Sequence, residues 1–221
     1  MEEYAALVAD EMLPAVVAAG AAQFCDAFCD RGFFSPEATE RILGAASRMG
    51  LGIRMHADQL IRSGGAELAA RLGATSADHL EQLDHAGVAA LARSGTVATL
   101  LPGPAIVMRG GLPPARALLD AGVTVALASD ANAGTFGAWG AMPLVIGLGA
   151  TMLEMTIQEA LTAATAGGAA ALGLTGRKGL LAIGADADLV AWDAEHEGAF
   201  ALHLGEIRPT QVFVRGEHRS S

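Results

Sequence analysis

The sequence predicts an α/β fold: part of a (β/α)8 TIM barrel, followed at its C-terminal end by strands of a small β-sandwich domain. Three observations lead there. Five short runs rich in β-branched or apolar residues alternate with helical patterns, which implies parallel βαβ units: AQFCDAFC (22–29), GIRMHAD (52–58), TSADHL (75–80), TVATLLPG (96–103) and TVALASD (124–130). Glycines 50, 73, 95 and 122 each stand within three residues of the next run, where a short αβ loop places Gly just past a helix end. His56, Asp58, Asp78, His79 and Asp130 fall at the C-terminal ends of runs, the rim on which (β/α)8 enzymes carry their chemistry. An open doubly wound sheet would instead need a Gly-rich phosphate loop, and no GxGxxG follows the first run.

The connecting segments support the same layout. Ser35-Pro36-Glu37 is a helix start with Pro in the first turn, and Ile42, Leu43 and Ala46 form an apolar stripe that stops at Gly50. After Asp130 the pattern changes to two helical stretches, MPLVIGLGATMLEM and TIQEALTAATAGGAAALGL, the second opened by Thr156 with Glu159 three residues on. The runs LLAIGADADLVAWD and QVFVRGE, joined around Glu197 and Gly198, read as strands of a separate β appendage. The expected division is 1–175 for the barrel part and 176–221 for the appendage.

Composition narrows the function classes. With 221 residues, 52% hydrophobic and 17% charged, the chain can bury a sizeable core and is unlike a disordered segment. A net charge of -10, with no clustered Lys or Arg, argues against nucleic acid as a partner. The acidic N-terminus MEEYAALVADEMLPAVVAAG is no signal sequence, and no apolar stretch spans a bilayer, so a cytoplasmic protein with no membrane partner is expected. Cys25 and Cys29 share one face of a strand and are read as two buried, reduced thiols.

Three ligand-capable residues, His56, His79 and Asp130, end three different runs and face one mouth. Imidazole plus carboxylate is the ligand set of a hydrolytic metal site with an open position for water. Each alone has a plainer reading: a lone strand-end histidine is more often a hydrogen-bonded packing residue, and Asp130 serves equally as a loop cap.

The residue contexts carry more. MHADQL (55–60), SADHLE (76–81), TLLPG (99–103) and ALASDANAGT (126–135) occur in an order that resembles the imidazolonepropionase family, as do EMLP and FCDAFCDRGFFS near the start. TAATAGGAAALGL followed by GLLAIGADADLVAWD resembles the closing segment of the wider metal-dependent amidohydrolase superfamily. The resemblance covers nearly the whole chain and implies a barrel of the amidohydrolase type, from about its fourth strand to its eighth. It implies hydrolysis of 4-imidazolone-5-propanoate to N-formimidoyl-L-glutamate in histidine degradation, with one Zn or Fe per site. His56 and Asp130 would be metal ligands, Asp130 also a proton shuttle, and His79 would orient the substrate carbonyl. Gln59 would face the ring, and Asn132, Gly134 and Thr135 would grip the propionate. The implied partners are a small-molecule substrate and a second copy of the chain.

Two departures stand out. Amidohydrolases of this type take two further ligands from a His-x-His pair on their first barrel strand, and this chain contains no His-x-His; Ala133 also stands where the family usually has Pro. Five strands do not close an eight-stranded barrel, so the expectation is a truncated chain or one that works with a missing N-terminal half. The alternatives are a deaminase-like amidohydrolase acting on another heterocycle and a non-catalytic fragment.

Overall fold

The computed structural model describes residues 1–134, 136–137 and 142–219. These form two compact units, Met1–Thr99 with Ala117–Val123 and Leu100–Arg116 with Thr124–Ser221.

The first unit opens with α1 (Glu2–Leu7), a π-helical turn (Val8–Met12) and α2 (Leu13–Ala18). Strands and helices then alternate: β1 (Phe24–Cys29), α3 (Pro36–Arg48), β2 (Gly52–Ala57), α4 (Gly65–Leu72), β3 (Ser76–His79), α5 (His85–Ser94) and β4 (Val97–Leu100), whose last residue is counted in the second unit. The Ser35 hydroxyl accepts the Ala38 N–H at the start of α3, and Pro36 sits at its first turn. That helix buries Ile42 and Leu43 completely, each contributing about 1.5–3 kcal/mol. Gly73 and Gly95 close α4 and α5 in the left-handed conformation, φ +68° and +78°, so both predicted stops are C-caps that a side chain would strain.

Strand pairing is parallel from β1 to β4, and β5 follows in the sheet order. Alternation decides which side chains line which face. On β2, Ile53, Met55 and Ala57 are buried while Gly52, Arg54 and His56 are partly exposed. Register pairs Asp26 with Arg54, Phe28 with His56, His56 with Asp78, and Asp78 with Thr99. Asp26, His56 and Asp78 therefore share one face of the sheet.

The second unit contains α6 (Pro102–Met108), the first two residues of α7 (Ala115–Asp120), β5 (Val125–Leu127) and α8 (Met142–Met152). It continues with α9 (Ile157–Thr162), a π-helical turn (Ala163–Gly167) and α10 (Gly168–Ala171). Thr156 and Glu159 form the expected capping box, and Glu159 also pairs with Arg116 at 3.0 Å. The stretch expected as one continuous helix is thus interrupted by a π turn. A Cβ on Gly167 would lie 2.1 Å from the Val125 carbonyl oxygen, so this turn seats bare backbone directly on β5.

The appendage is smaller than its sequence suggests. Of the run LLAIGADADLVAWD only β6 (Leu189–Trp192) is extended, and α11 (Ala199–Leu202) interrupts the connection to β7 (Pro209–Val214) and β8 (Glu217–Arg219). These strands pair antiparallel in the order β6-β7-β8. The β7–β8 hairpin turns on Arg215 and Gly216, both at positive φ, as a tight two-residue turn matching strand twist requires. Among the described residues no helix is long and apolar enough to cross a membrane.

Candidate functional site

Seven non-glycine residues among those described have positive φ, and four of them lie just beyond or at strand ends: Asp58 after β2, His79 and Leu80 at the end of β3, and Asp130 after β5. Strained backbone of this kind persists only where surrounding structure enforces it, and it concentrates at functional sites.

His56, near the end of β2, has its Nδ1 2.8 Å from Asp26 Oδ2, a contact of hydrogen-bond length but bent geometry. Asp78 flanks His56 on β3, and one ligand atom from each of Asp26, His56 and Asp78 falls within 4.8 Å of the others. An imidazole between two carboxylates is a donor set suited to a divalent cation. Burial pushes the Asp78 carboxyl above the usual aspartate range and the Asp26 charge adds to this, while the neighbouring Ser76 and Thr99 hydroxyls and His56 oppose it. Among the described residues, Asp78 Oδ1 is buried with no hydrogen-bond partner, a costly arrangement that marks a position needing explanation.

His79 sits beside this group. Its register partner is Ala57 rather than His56, yet with φ +79° its ring comes to 5.2 Å from the His56 ring, centroid to centroid. The side chain is almost fully buried, with Nδ1 in a long 3.4 Å contact with the equally buried Glu81. The structure therefore brings His56 and His79 together.

The segment between β2 and α4 is fixed by two carboxylates. Asp30 Oδ2 accepts the backbone N–H groups of Gln59 (3.0 Å) and Leu60 (2.7 Å), which places Gln59 in a buried position held through its main chain. Asp58, with no exposed surface, accepts N–H bonds from Ser63 (2.7 Å), Gly64 (2.9 Å), Gly65 (3.3 Å) and Ala66 (3.0 Å). It thus satisfies the orphan donors at the start of α4. Arg62 adds its guanidinium to Asp58 and also reaches Glu67 and Asp84; Arg62, together with the Gly87 N–H, holds the Asp84 carboxyl down to about 2.

Asp130 belongs to the second unit. It lies three residues past the short β5, half-buried, with φ +49°. The expected strand to residue 130 ends at Leu127. Its carbonyl accepts the Asn132 side-chain amide at 2.8 Å, and Asn132 Oδ1 accepts the Gly134 N–H at 2.7 Å. Asp130, Asn132 and Gly134 therefore form one Asx-type turn. Thr135 lies outside the described residues.

Sequence reasoning missed Asp26 and the clamping role of Asp30 and Asp58. A signal for Asp26 existed: in FCDAFC a period of two puts an acid on the same face as Phe24 and Phe28. Its proximity to His56 needed the inter-strand register. Cys29 is buried and Cys25 partly so; both are free thiols whose pKa is raised, chiefly by burial.

Residues 9–217 match the Amidohydrolase family. The chain is 48% identical over 220 residues to an imidazolonepropionase of Ectopseudomonas mendocina (strain ymp), covering 98% of this chain and 53% of that protein. It is 44% identical over 217 residues to an imidazolonepropionase of Stenotrophomonas maltophilia (strain R551-3), with the same coverage of each. The chain spans about half the length of the curated relatives it matches. Among solved structures, an adenosine deaminase from Xanthomonas campestris with bound Zn superimposes with a TM-score of 0.72 at 23% identity, over 89% of this chain and 51% of that one. An amidohydrolase superimposes with a TM-score of 0.74 at 19% identity, over 96% and 58%. These two likenesses establish the fold, a partial barrel of the amidohydrolase type.

Proposed function

Since the chain belongs to the amidohydrolase family, we propose that it is the C-terminal part of an imidazolonepropionase-type hydrolase that opens 4-imidazolone-5-propanoate to N-formimidoyl-L-glutamate. The observation that carries this reading is the 48% identity over nearly the whole chain to an imidazolonepropionase. The proximity of the His56 and His79 rings supports it.

His56 and Asp130 would hold the metal, Zn or Fe, which when bound lowers the pKa of a water and makes it nucleophilic at neutral pH. The donor types at His56 fit such an ion, with an imidazole bordered by carboxylates. Asp130 takes the proton of the attacking water and delivers it to the leaving ring nitrogen. Its half-buried carboxylate suits that task, because the bond tethering the turn uses the Asp130 carbonyl instead. His79 polarises the ring carbonyl and stabilises the charge that develops on its oxygen, with Glu81 orienting the imidazole. Gln59 faces the ring.

Asn132, Gly134 and Thr135 bind the propionate. The Asn132 amide and the Gly134 N–H are engaged with each other and with Asp130, so gripping a carboxylate exchanges these internal bonds for bonds to substrate, a near-neutral swap that favours only the correctly charged ligand. The remaining metal ligands, a His-x-His pair, are assigned to an N-terminal half beyond this chain. We place the enzyme in the cytoplasm, as a homodimer acting on a free small molecule.

The test is the Zn and Fe content of the purified chain, alone and with that half supplied in trans, against His56→Ala and Asp130→Ala, followed by loss of the imidazolone absorbance. Metal retained by the parent and lost in both variants supports the reading. Metal retained in both variants overturns the ligand assignment.

A further inference from the structure

We propose that Asp26 is a positioning residue for His56: its carboxylate holds the imidazole Nδ1–H, which fixes the tautomer and leaves Nε2 as the nitrogen that coordinates the metal. The inference rests on the ligand role proposed for His56 and adds to it a residue on a different strand.

Three observations lead to it. Asp26 Oδ2 lies 2.8 Å from His56 Nδ1, within hydrogen-bond distance. Two ligands sharing one tetrahedral zinc would be about 3.3 Å apart with metal–ligand bonds near 2.0–2.1 Å, so the separation suits a direct contact better than a bridging ion. The register places Asp26 opposite Arg54, two pairs deeper in the sheet than His56 and on the same face. A carboxylate there reaches the imidazole from the side away from the strand ends, where the substrate would arrive.

The chemistry follows from imidazole itself. In the neutral ring one nitrogen carries the proton and the other the lone pair, and the partner of the first decides which is which. A carboxylate on Nδ1–H makes Nε2 the more basic donor and removes the alternative tautomer, as outer carboxylates do for metal-bound histidines in general. Asp78, in register with His56 on the other side, contributes a second negative field to the same ring.

The experiment uses the 221-residue chain labelled with ¹⁵N-histidine, with His56 assigned by comparison with His56→Gln. In the metal-free chain, long-range ¹H–¹⁵N correlations should show the proton on Nδ1. In Asp26→Ala the same ring should move to the Nε2–H form or to a mixture. Loaded with ¹¹³Cd, the chain should show metal–nitrogen coupling to Nε2, and Asp26→Ala should bind Cd²⁺ about 10–100-fold more weakly. An Nε2–H ring in the parent, coupling to Nδ1, or an affinity in folded Asp26→Ala within twofold of the parent would each overturn the proposal. If Asp26→Ala does not fold, the parent tautomer decides the matter. A chain that takes no Cd²⁺ removes the metal assignment of His56 while the tautomer still tests Asp26.

Discussion

Two strand ends of this chain begin alike and end differently. After β2 and after β5 an aspartate, Asp58 and Asp130, adopts the same left-handed φ of +49°. Asp58 is sealed from solvent, and its carboxylate is consumed by four backbone N–H groups and Arg62. Asp130 is half-buried, offers its carbonyl to the Asn132 amide, and takes no donor on its carboxylate among the described residues. The same residue type at the same φ is a structural clamp in one place and carries an uncommitted carboxylate, among the described residues, in the other. The distinction lies in the neighbouring segments: Arg62-Ser63-Gly64-Gly65-Ala66 curls back over Asp58 and opens α4, whereas Ala131-Asn132-Ala133-Gly134 turns upon itself.

The largest effect expected from this contrast is on Asp58→Ala, which leaves the α4 donors without their acceptor while Arg62 keeps Glu67 and Asp84, and should cost about 3 kcal/mol, the upper end of the range for a buried donor left unsatisfied. Urea unfolding followed by circular dichroism measures it, and a loss under about 1 kcal/mol would mean that water replaces the carboxylate at little penalty. Asn132→Ala removes only side-chain bonds in a partly exposed turn, so its cost should be about 1 kcal/mol on the same assay. Asp130→Ala loses no carboxylate bond among the described residues but puts alanine at φ +49°, so its cost should also be about 1 kcal/mol, while abolishing metal retention. A destabilisation equal to that of Asp58→Ala would erase the contrast.

The smallest effect is on pH dependence around Arg62. Asp84 is held at about 2 in the fold against about 3.9 in an unfolded chain. A depressed carboxylate contributes stability that is complete above the unfolded value and is lost as pH falls through the folded one. The stability difference between the parent and Asp84→Asn should therefore be flat from about pH 7 to about 5 and shrink toward about pH 2. A difference that grows on acidification would show that Asp84 gains nothing from Arg62.

Much of this architecture is legible in the sequence. The β-branched runs locate all five parallel strands, and Ser35-Pro36, Gly73, Gly95 and the Thr156–Glu159 box mark true helix ends, because caps and stops act over a few residues and need no tertiary partner. His56 and His79, near the ends of the runs 52–58 and 75–80, are expected at one mouth, and their ring centroids lie 5.2 Å apart. The features that escape the sequence depend on register or on close approach. The contact of Asp26 with His56 requires knowing that Phe28, not Asp26, faces His56 across the ladder. Asp58 reads as a rim residue because nothing in HADQL says that its carboxylate folds under the adjoining loop. The break at Ala163–Gly167 is invisible in an Ala-rich repeat, since each residue there is compatible with an unbroken helix.

That break has a consequence for how this lineage can change. A π turn holds one residue more than the α-helical spacing requires, so removing one of residues 163–166 would restore ordinary α-helix and leave the segment beyond it in phase. A side chain at Gly167 has no such escape, because its Cβ would lie 2.1 Å from the Val125 carbonyl oxygen. A change of length is thus better tolerated in this helix than a change of residue at 167.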